Sequence, residues 1–242
     1  MKNLLILMVV ATFMTAPMGW ADSDKPVFSM SADQEALKIT NDVQTAKAQA
    51  EAHPDDPEAH FLYAAALSRS PYLMEAFQEL KKTKEILKQK QDFEFIDRTL
   101  TSYNALVKAD PDNTVLLYRV SLAYFLKGYS IEKYASHFKN VPTGTPQENY
   151  DKARVAMERV IELDPKDTAA RNCLGYIVSN NGRDLTNAIK IWHESIAVDG
   201  ENNPGAYLML SQAYMKQGDL GKAMQYGAQG LVIKQRMGMT LP

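Results

Sequence analysis

The four histidines are the first residues to consider for metal binding or for general acid–base catalysis. His53, His60, His137 and His193 show neither an i,i+4 pair nor another spacing typical of metal ligands. A glutamate follows His193, but the second histidine of a zinc-protease helix is missing from the sequence at that place. His60 falls on a packing face, so we expect it to be a hydrogen-bonded core residue and we expect no metal site.

Nucleophile and phosphate-binding motifs are equally incomplete. The segment 218–223 resembles a phosphate loop, but its upstream glycine is missing and Ala223 stands in place of Ser or Thr. No Gly-x-Ser-x-Gly motif occurs, and the single cysteine, Cys173, lies inside a helical pattern that favours a buried, inert thiol. The sequence therefore predicts no catalysis and no cofactor.

Composition and charge exclude several other classes of protein. The chain has 242 residues, of which 45% are hydrophobic and 23% charged, and its formal net charge is −2. These values exclude a disordered polyelectrolyte, a collagen and a multi-span membrane protein. The near-neutral balance also argues against a general nucleic-acid binder.

The N-terminal segment has the pattern of a secretory signal peptide. Lys2 precedes an apolar run from Leu4 to Ala16, which is too short for a bilayer span, and small residues lead to a cleavage site after Ala21. An uncleaved anchor is the alternative. We expect a signal peptide at 1–21, a disordered segment at 22–31 and a protein in the periplasm or outside the cell, without a lipid anchor. Removal of Lys2 leaves 26 basic and 29 acidic residues, a balance of −3.

Internal repeats dominate the rest of the chain. Apolar residues recur three and four apart, between breaks that carry Pro, Gly, Asn or Asp. After each break a large apolar residue directly precedes a small one, and alanines 35 residues apart begin the second helices. A small side chain lets the neighbouring helix approach closely, so these residues are expected to build the repeat. They are Ala64, Ser121, Ala153, Leu174, Gly175, Ala188, Leu210, Ser211, Tyr214, Gly218 and Ala223.

This pattern resembles the tetratricopeptide repeat family. The resemblance is carried by Tyr207-x-x-Leu210-Ser211-x-x-Tyr214 with Gly218 and Ala223, by Leu174-Gly175 with Ala188 and Trp192, and by the segment from Ala153 to Pro165. It covers residues 112–234 well and 32–111 loosely. It implies an all-α fold over 32–236, a right-handed α-solenoid of about four stacked antiparallel helix pairs, with a flexible tail at 237–242.

Two insertions depart from the family pattern. Pro54 and Pro111 are 57 residues apart, and Pro111 and Pro165 are 54 apart, against a repeat of about 34. For the first insertion we expect helices at 71–90 and 93–109, and the sequence leaves open which of them is the repeat partner. For the second we expect a short helix at 130–140 that Ser130 caps, and residues 32–52 form a single leading helix.

The resemblance implies a protein or peptide partner bound in the concave groove, with no nucleic acid and no stable membrane insertion after signal cleavage. Mapping the first helices onto that groove gives Phe61, Tyr118, Arg119, Leu122, Phe125, Asn172, Tyr176, Leu208, Gln212 and Met215. The scaffold would support an envelope or extracellular assembly.

Two alternatives stay open. In one, the chain self-associates and its inserted helices fill the groove. In the other, the lysines at 81, 82, 84, 88 and 90 bind anionic envelope polymers, although such a run is also typical of a solvated helix face.

Overall fold

The computed structural model describes residues 32–181 and 184–239, and within them the chain forms ten α-helices and no strand. The predicted signal peptide 1–21, the segment 22–31, Gly182 and the last part of the predicted tail, 240–242, lie outside the described residues. The all-α prediction is confirmed. In chain order the helices are α1 (Ala32–Ala52), α2 (Pro57–Ser68), α3 (Leu73–Lys90), α4 (Glu94–Ala109), α5 (Thr114–Tyr134), α6 (Pro146–Leu163), α7 (Thr168–Asn181), α8 (Leu185–Val198), α9 (Pro204–Lys216) and α10 (Leu220–Arg236).

Polar residues at the breaks fix where most helices begin. The Asp56 carboxylate accepts a hydrogen bond from the Glu58 N–H at 3.0 Å, and Asn113 Oδ1 accepts one from the N–H of Leu116 at 3.1 Å. Proline occupies the first turn of α2, α6 and α9, where its missing N–H costs nothing. The Pro, Asn and Asp breaks of the sequence are therefore helix caps.

The stacked pairs are α5–α6, α7–α8 and α9–α10. In two of them the small residue of the first helix makes the same contact. The Ser121 hydroxyl donates to the carbonyl oxygen of Ala153 at 2.7 Å, and the Ser211 hydroxyl donates to that of Ala223 at 2.7 Å. The repeat register from the sequence thus aligns equivalent atoms in two units.

Gly175 occupies the position of this small residue in the remaining pair, α7–α8. A Cβ at residue 175 would lie 2.4 Å from Trp192 Nε1, so only glycine allows the indole to pack here. Gly218 ends α9 with a φ of +80°, a conformation that favours glycine. The remaining residues of the repeat set are buried or packed against the core: Ala64, Leu174, Ala188, Leu210 and Tyr214.

The inserted region before α5 contains two helices, as predicted. α3 packs against α2 and also contacts α5 and α7, whereas α4 packs against α5. α3 is therefore the partner of α2, and α4 is the added helix. The predicted leading helix is α1, which packs on α2.

The prediction of a separate short helix at 130–140 is wrong. α5 continues without a break through Gly128 to Tyr134. A Cβ on Gly128 would lie 3.0 Å from both the Pro146 carbonyl oxygen and the Tyr150 ring, so this glycine allows α6 to approach and does not end the helix. Ser130 is buried inside α5, and its hydroxyl has no hydrogen-bond partner among the described residues, so it caps nothing.

None of the helices in the described ranges combines the length and the apolar character that a bilayer crossing requires.

Candidate functional site

The residues that the sequence placed in an open groove divide into a buried and an accessible group. The buried group is Phe61, Tyr118, Leu122, Phe125 and Asn172. Tyr176, Arg119 and Leu208 are half-buried, and Gln212 and Met215 are exposed. For the buried group the expectation of an open groove is corrected, because these side chains belong to the core.

The inserted helices place aromatic rings over part of the buried group. The Phe77 ring of α3 stacks on Tyr176 with the ring centroids 3.3 Å apart, and Tyr176 in turn packs against Phe125 at 5.5 Å. From α4, the Phe95 and Tyr103 rings both lie 6.3 Å from Phe61. This burial raises the pKa of Tyr176 to about 12. The chain therefore fills the expected groove with its own aromatic side chains.

Tyr118 is held inside the protein by a carboxylate. Its hydroxyl donates to Asp167 with 2.9 Å to each carboxylate oxygen, and Asp167 Oδ1 also accepts the N–H of Ala170 at the start of α7. Burial, and then the charge of Asp167, raise the pKa of Tyr118 well above its usual value. Tyr118 thus joins α5 to the start of α7.

Asn172 belongs to a closed hydrogen-bond triangle. Its amide nitrogen donates to Asn203 Oδ1 at 2.7 Å, while the Ser195 hydroxyl donates to Asn172 Oδ1 at 2.8 Å. Asn203 Nδ2 completes the triangle by donating to the Ser195 hydroxyl at 2.9 Å. Because its amide group is engaged inside the protein, Asn172 does not bind a peptide backbone in this arrangement.

The residues considered for chemistry have structural surroundings. His60 is buried, with Nδ1 2.7 Å from Glu79 Oε2 and Nε2 3.0 Å from the carbonyl oxygen of Pro54, as expected of a core histidine. Burial raises the pKa of Cys173, whose thiol lies 3.6 Å from the carbonyl oxygen of Ser68. Among the described residues no cluster of His, Cys, Asp or Glu suits a metal ion.

The lysine run is not a uniform basic face. Lys84 is buried, and its ammonium lies 3.7 Å from the centre of the Tyr129 ring. Burial lowers the pKa of Lys84 to about 8. Lys82 pairs with Glu79 at 2.6 Å. Two of the five lysines are therefore engaged within the protein.

An open cleft of about 230 Å³ lies between α1, α2 and α5, and we call it the arginine cleft. Arg69 and Arg119 line it together with Asp42, and the apolar part of the wall comes from Leu62 and Val115. Arg119 also lies over the Tyr103 ring, 5.7 Å from its centre. The other residues that line the arginine cleft are Thr45, Ala46, Gln49, Ala65 and Ala66.

Arg69 is the functional candidate that sequence reasoning missed. Its side chain is only 9% exposed, and its Nη1 donates to Asp42 Oδ2 at 3.1 Å, which uses one N–H of a group that carries about five. Arg69 also lines a second cleft of about 220 Å³, where Lys166, Asp164 and Asn202 are found. The sequence feature that could have indicated Arg69 is its place as a basic residue directly after α2, a helix with almost no charge. In the arginine cleft, the planar guanidinium group of Arg69 is a hydrogen-bond donor suited to carboxylates.

Comparison with known proteins concerns the repeats. The family model of the tetratricopeptide repeat matches residues 145–167 and 204–229, which include all of α6, all of α9 and the first half of α10. No curated protein sequence matches the chain.

Among solved structures the chain is similar to "MamA MSR-1 C2", at 15% identity over 84% of this chain and 91% of that chain, with a TM-score of 0.39. It is similar to TTC0263, a thermophilic TPR protein in Thermus thermophilus, at 14% identity over 85% and 92%, with a TM-score of 0.48. It is also similar to YrrB, described as a TPR protein with an unusual peptide-binding site, at 16% identity over 81% and 96%, with a TM-score of 0.35.

Proposed function

We propose that this chain, which is a tetratricopeptide-repeat protein, is an exported scaffold that binds a segment of another protein, and that an acidic group of that segment binds in the arginine cleft. Proteins built from such repeats are interaction modules. No catalytic step and no cofactor belongs to the proposal. The predicted signal peptide supports export and a role in an envelope or extracellular assembly.

The burial of the predicted groove supports a partner-binding surface elsewhere on the protein. Phe61 lies against two rings of α4, and Phe125 lies against Tyr176, on which Phe77 of α3 stacks. A partner from solvent therefore does not reach Phe61 or Phe125 while these helices stay in place. The arginine cleft is open, and it includes Arg119, one of the residues that the sequence placed on the binding surface.

The charges of the cleft support an acidic ligand, and this is the observation that carries the proposal. Two arginines and one aspartate line the cleft, so its formal charge is +1. A guanidinium binds a carboxylate through two parallel N–H···O bonds, and the cost of ordering Arg69 is already met because α1 and α2 hold it in place. Leu62 and Val115 offer apolar contact beside the charges. An extended peptide with an acidic side chain fits this combination.

The experiment uses two exposed glutamines of α1. A photo-crosslinking amino acid replaces Gln49, which lines the cleft, or Gln44, which does not, in the full chain expressed in its own cells. We expect a discrete crosslinked protein from position 49 alone. Arg119→Gln should abolish the crosslink, while Arg98→Gln, at an exposed arginine of α4, should leave it unchanged.

Equal crosslinking from both glutamines, or a product that Arg119→Gln does not affect, would refute the cleft assignment. The mass of the purified chain in the same experiment tests export: we expect it to lack residues 1–21 and to be recovered from the envelope or extracellular fraction. An intact chain recovered from the cytosol contradicts that part of the proposal.

A further inference from the structure

The outer face of α10 exposes the densest group of large apolar side chains in the described part of the chain. Leu220, Met224, Leu231 and Val232 are between 49% and 76% exposed, with Ala228 among them. Terminal repeats of soluble solenoids normally present a polar outer face. We call these five residues the α10 face.

The repeat register relates the α10 face to equivalent residues of α8. Ala188 and Ala223 are 35 residues apart, so the same offset relates Leu185, Ile189 and Ile196 of α8 to Leu220, Met224 and Leu231 of α10.

In α8 these three residues pack against the core, and α9 packs on α8. Ile196 and the Tyr207 hydroxyl of α9 both lie close to Gly200. Equivalent residues are therefore packed inside the protein in one unit and exposed in the next.

The opposite end of the stack differs. α1 exposes mainly polar side chains such as Lys38, Asn41 and Gln44, with Leu37 as its one large apolar exposure. Stacking a second chain end to end would place these polar groups on the α10 face and leave them without water. Two α10 faces, in contrast, match each other, and a contact of one surface with itself closes as a twofold dimer.

The order of side chains along α10 suits an antiparallel pair. With the twofold axis at residue 226, Leu220 lies opposite Val232 of the other copy, and Met224 lies opposite Ala228. The long side chain of Met224 then meets the small one of Ala228, which lets the helices pack closely. Lys222 pairs with Asp219 of its own chain at 3.0 Å, so it brings no unbalanced charge to the contact.

We propose that two copies of this chain associate through their α10 faces, with the two helices antiparallel, and so continue the helix-on-helix interface that α8 makes with α9. The contact is separate from the arginine cleft, which α1, α2 and α5 form. Burial of apolar area drives the association.

Light scattering after size-exclusion chromatography of the signal-cleaved chain tests the oligomeric state. We expect a dimer that dissociates on dilution. Replacing both Met224 and Leu231 with Glu should give a monomer throughout the range in which the parent chain is a dimer. Val155→Glu, at a comparably exposed valine of α6, is the matched control and should stay dimeric. Circular dichroism confirms that each variant is folded.

Disulfide formation tests the register. Because Cys173 is buried, an engineered cysteine is the accessible thiol. A mixture of Met224→Cys and Ala228→Cys chains should form a disulfide-linked dimer under mild oxidation, and a mixture of Met224→Cys with Gln229→Cys should not.

A monomer at every concentration overturns the proposal, including a monomer whose α10 face crosslinks to another protein. A dimer that survives the two Glu substitutions also overturns it.

Discussion

The contact between Gly175 and Trp192 gives a quantitative test of the helix pairing. In Gly175→Ala the new methyl group would lie 2.4 Å from Trp192 Nε1, against about 3.5 Å for an ordinary contact, so the buried indole must move by about 1 Å. Overpacking of this kind costs about 1–3 kcal/mol. The shift also strains the hydrogen bond from Trp192 Nε1 to the carbonyl oxygen of Asn172, now 3.2 Å long.

Alanine also brings a gain, because replacing glycine restricts the unfolded chain by about 0.4–1 kcal/mol. We therefore expect Gly175→Ala to lower the free energy of unfolding by up to about 2.5 kcal/mol in urea titrations followed by circular dichroism, because the gain offsets part of the packing cost. Gly221→Ala is the matched control, because a Cβ at residue 221 would lie no closer than 3.7 Å to its nearest neighbour, Asp219 Oδ1. This variant should be neutral or slightly stabilising.

A third variant separates the contact from other causes. In a Trp192→Leu background the same Gly175→Ala change should cost much less, because the clashing ring is absent. If Gly175→Ala is as stable as Gly221→Ala, or if the Trp192 background makes no difference, the packing described between α7 and α8 is wrong.

Two further predictions concern buried polar groups. Ser121→Ala should lower the free energy of unfolding by about 1 kcal/mol, because the hydrogen bond to the Ala153 carbonyl is lost. Ser130→Ala should be neutral or stabilising, because the Ser130 hydroxyl is buried without a partner among the described residues. Equal shifts of the urea midpoints of the two variants would contradict this. Lys84 has its pKa lowered to about 8 by burial, so between pH 8 and 10 the unfolded chain binds more protons than the folded one and stability rises with pH. We compare the free energy of unfolding of the parent chain with that of Lys84→Met. The difference, parent minus variant, should rise by about 2–3 kcal/mol from pH 7 to 10. A difference that does not depend on pH would refute the burial of this charge.

The repeat register was predictable because it rests on local spacing. Ser121, Gly175 and Ser211 were identified from one large residue followed by one small residue, and the structure places each against the second helix of its own pair. Such spacing depends on the helical period alone.

The surface that binds a partner was not predictable in the same way. The stripe of Leu73, Phe77 and Leu80 shows that a helix buries one face, but not that the face lies on α5 and α7. Rings at helical spacing such as Tyr176 look the same whether a ligand or an inserted helix covers them. Arg69 was missed for a related reason, because its burial depends on Asp42, 27 residues earlier in the chain.

Gly128 shows a different limit. A glycine near the expected end of a helix usually stops it, but here it lies within α5 because the first turn of α6 packs on it. Local spacing fixes the helix-to-helix register of this protein, and contacts between distant segments decide which faces stay open.

The path of α3 has a consequence for how the protein folds. Its first turn reaches the far end of the stack, where Glu75 pairs with Lys234 at 2.6 Å across 159 residues of sequence, and Met74 lies beside Gln212. In a typical repeat array each unit contacts only its neighbours, so the ends fray first and the units unfold in sequence. Here the first pair is bound to the last, which couples the ends of the array into one cooperative transition. During synthesis α3 emerges before α7, α9 and α10 exist, so its docking surface is completed only when the last helix has formed, and folding depends on contacts of long sequence separation.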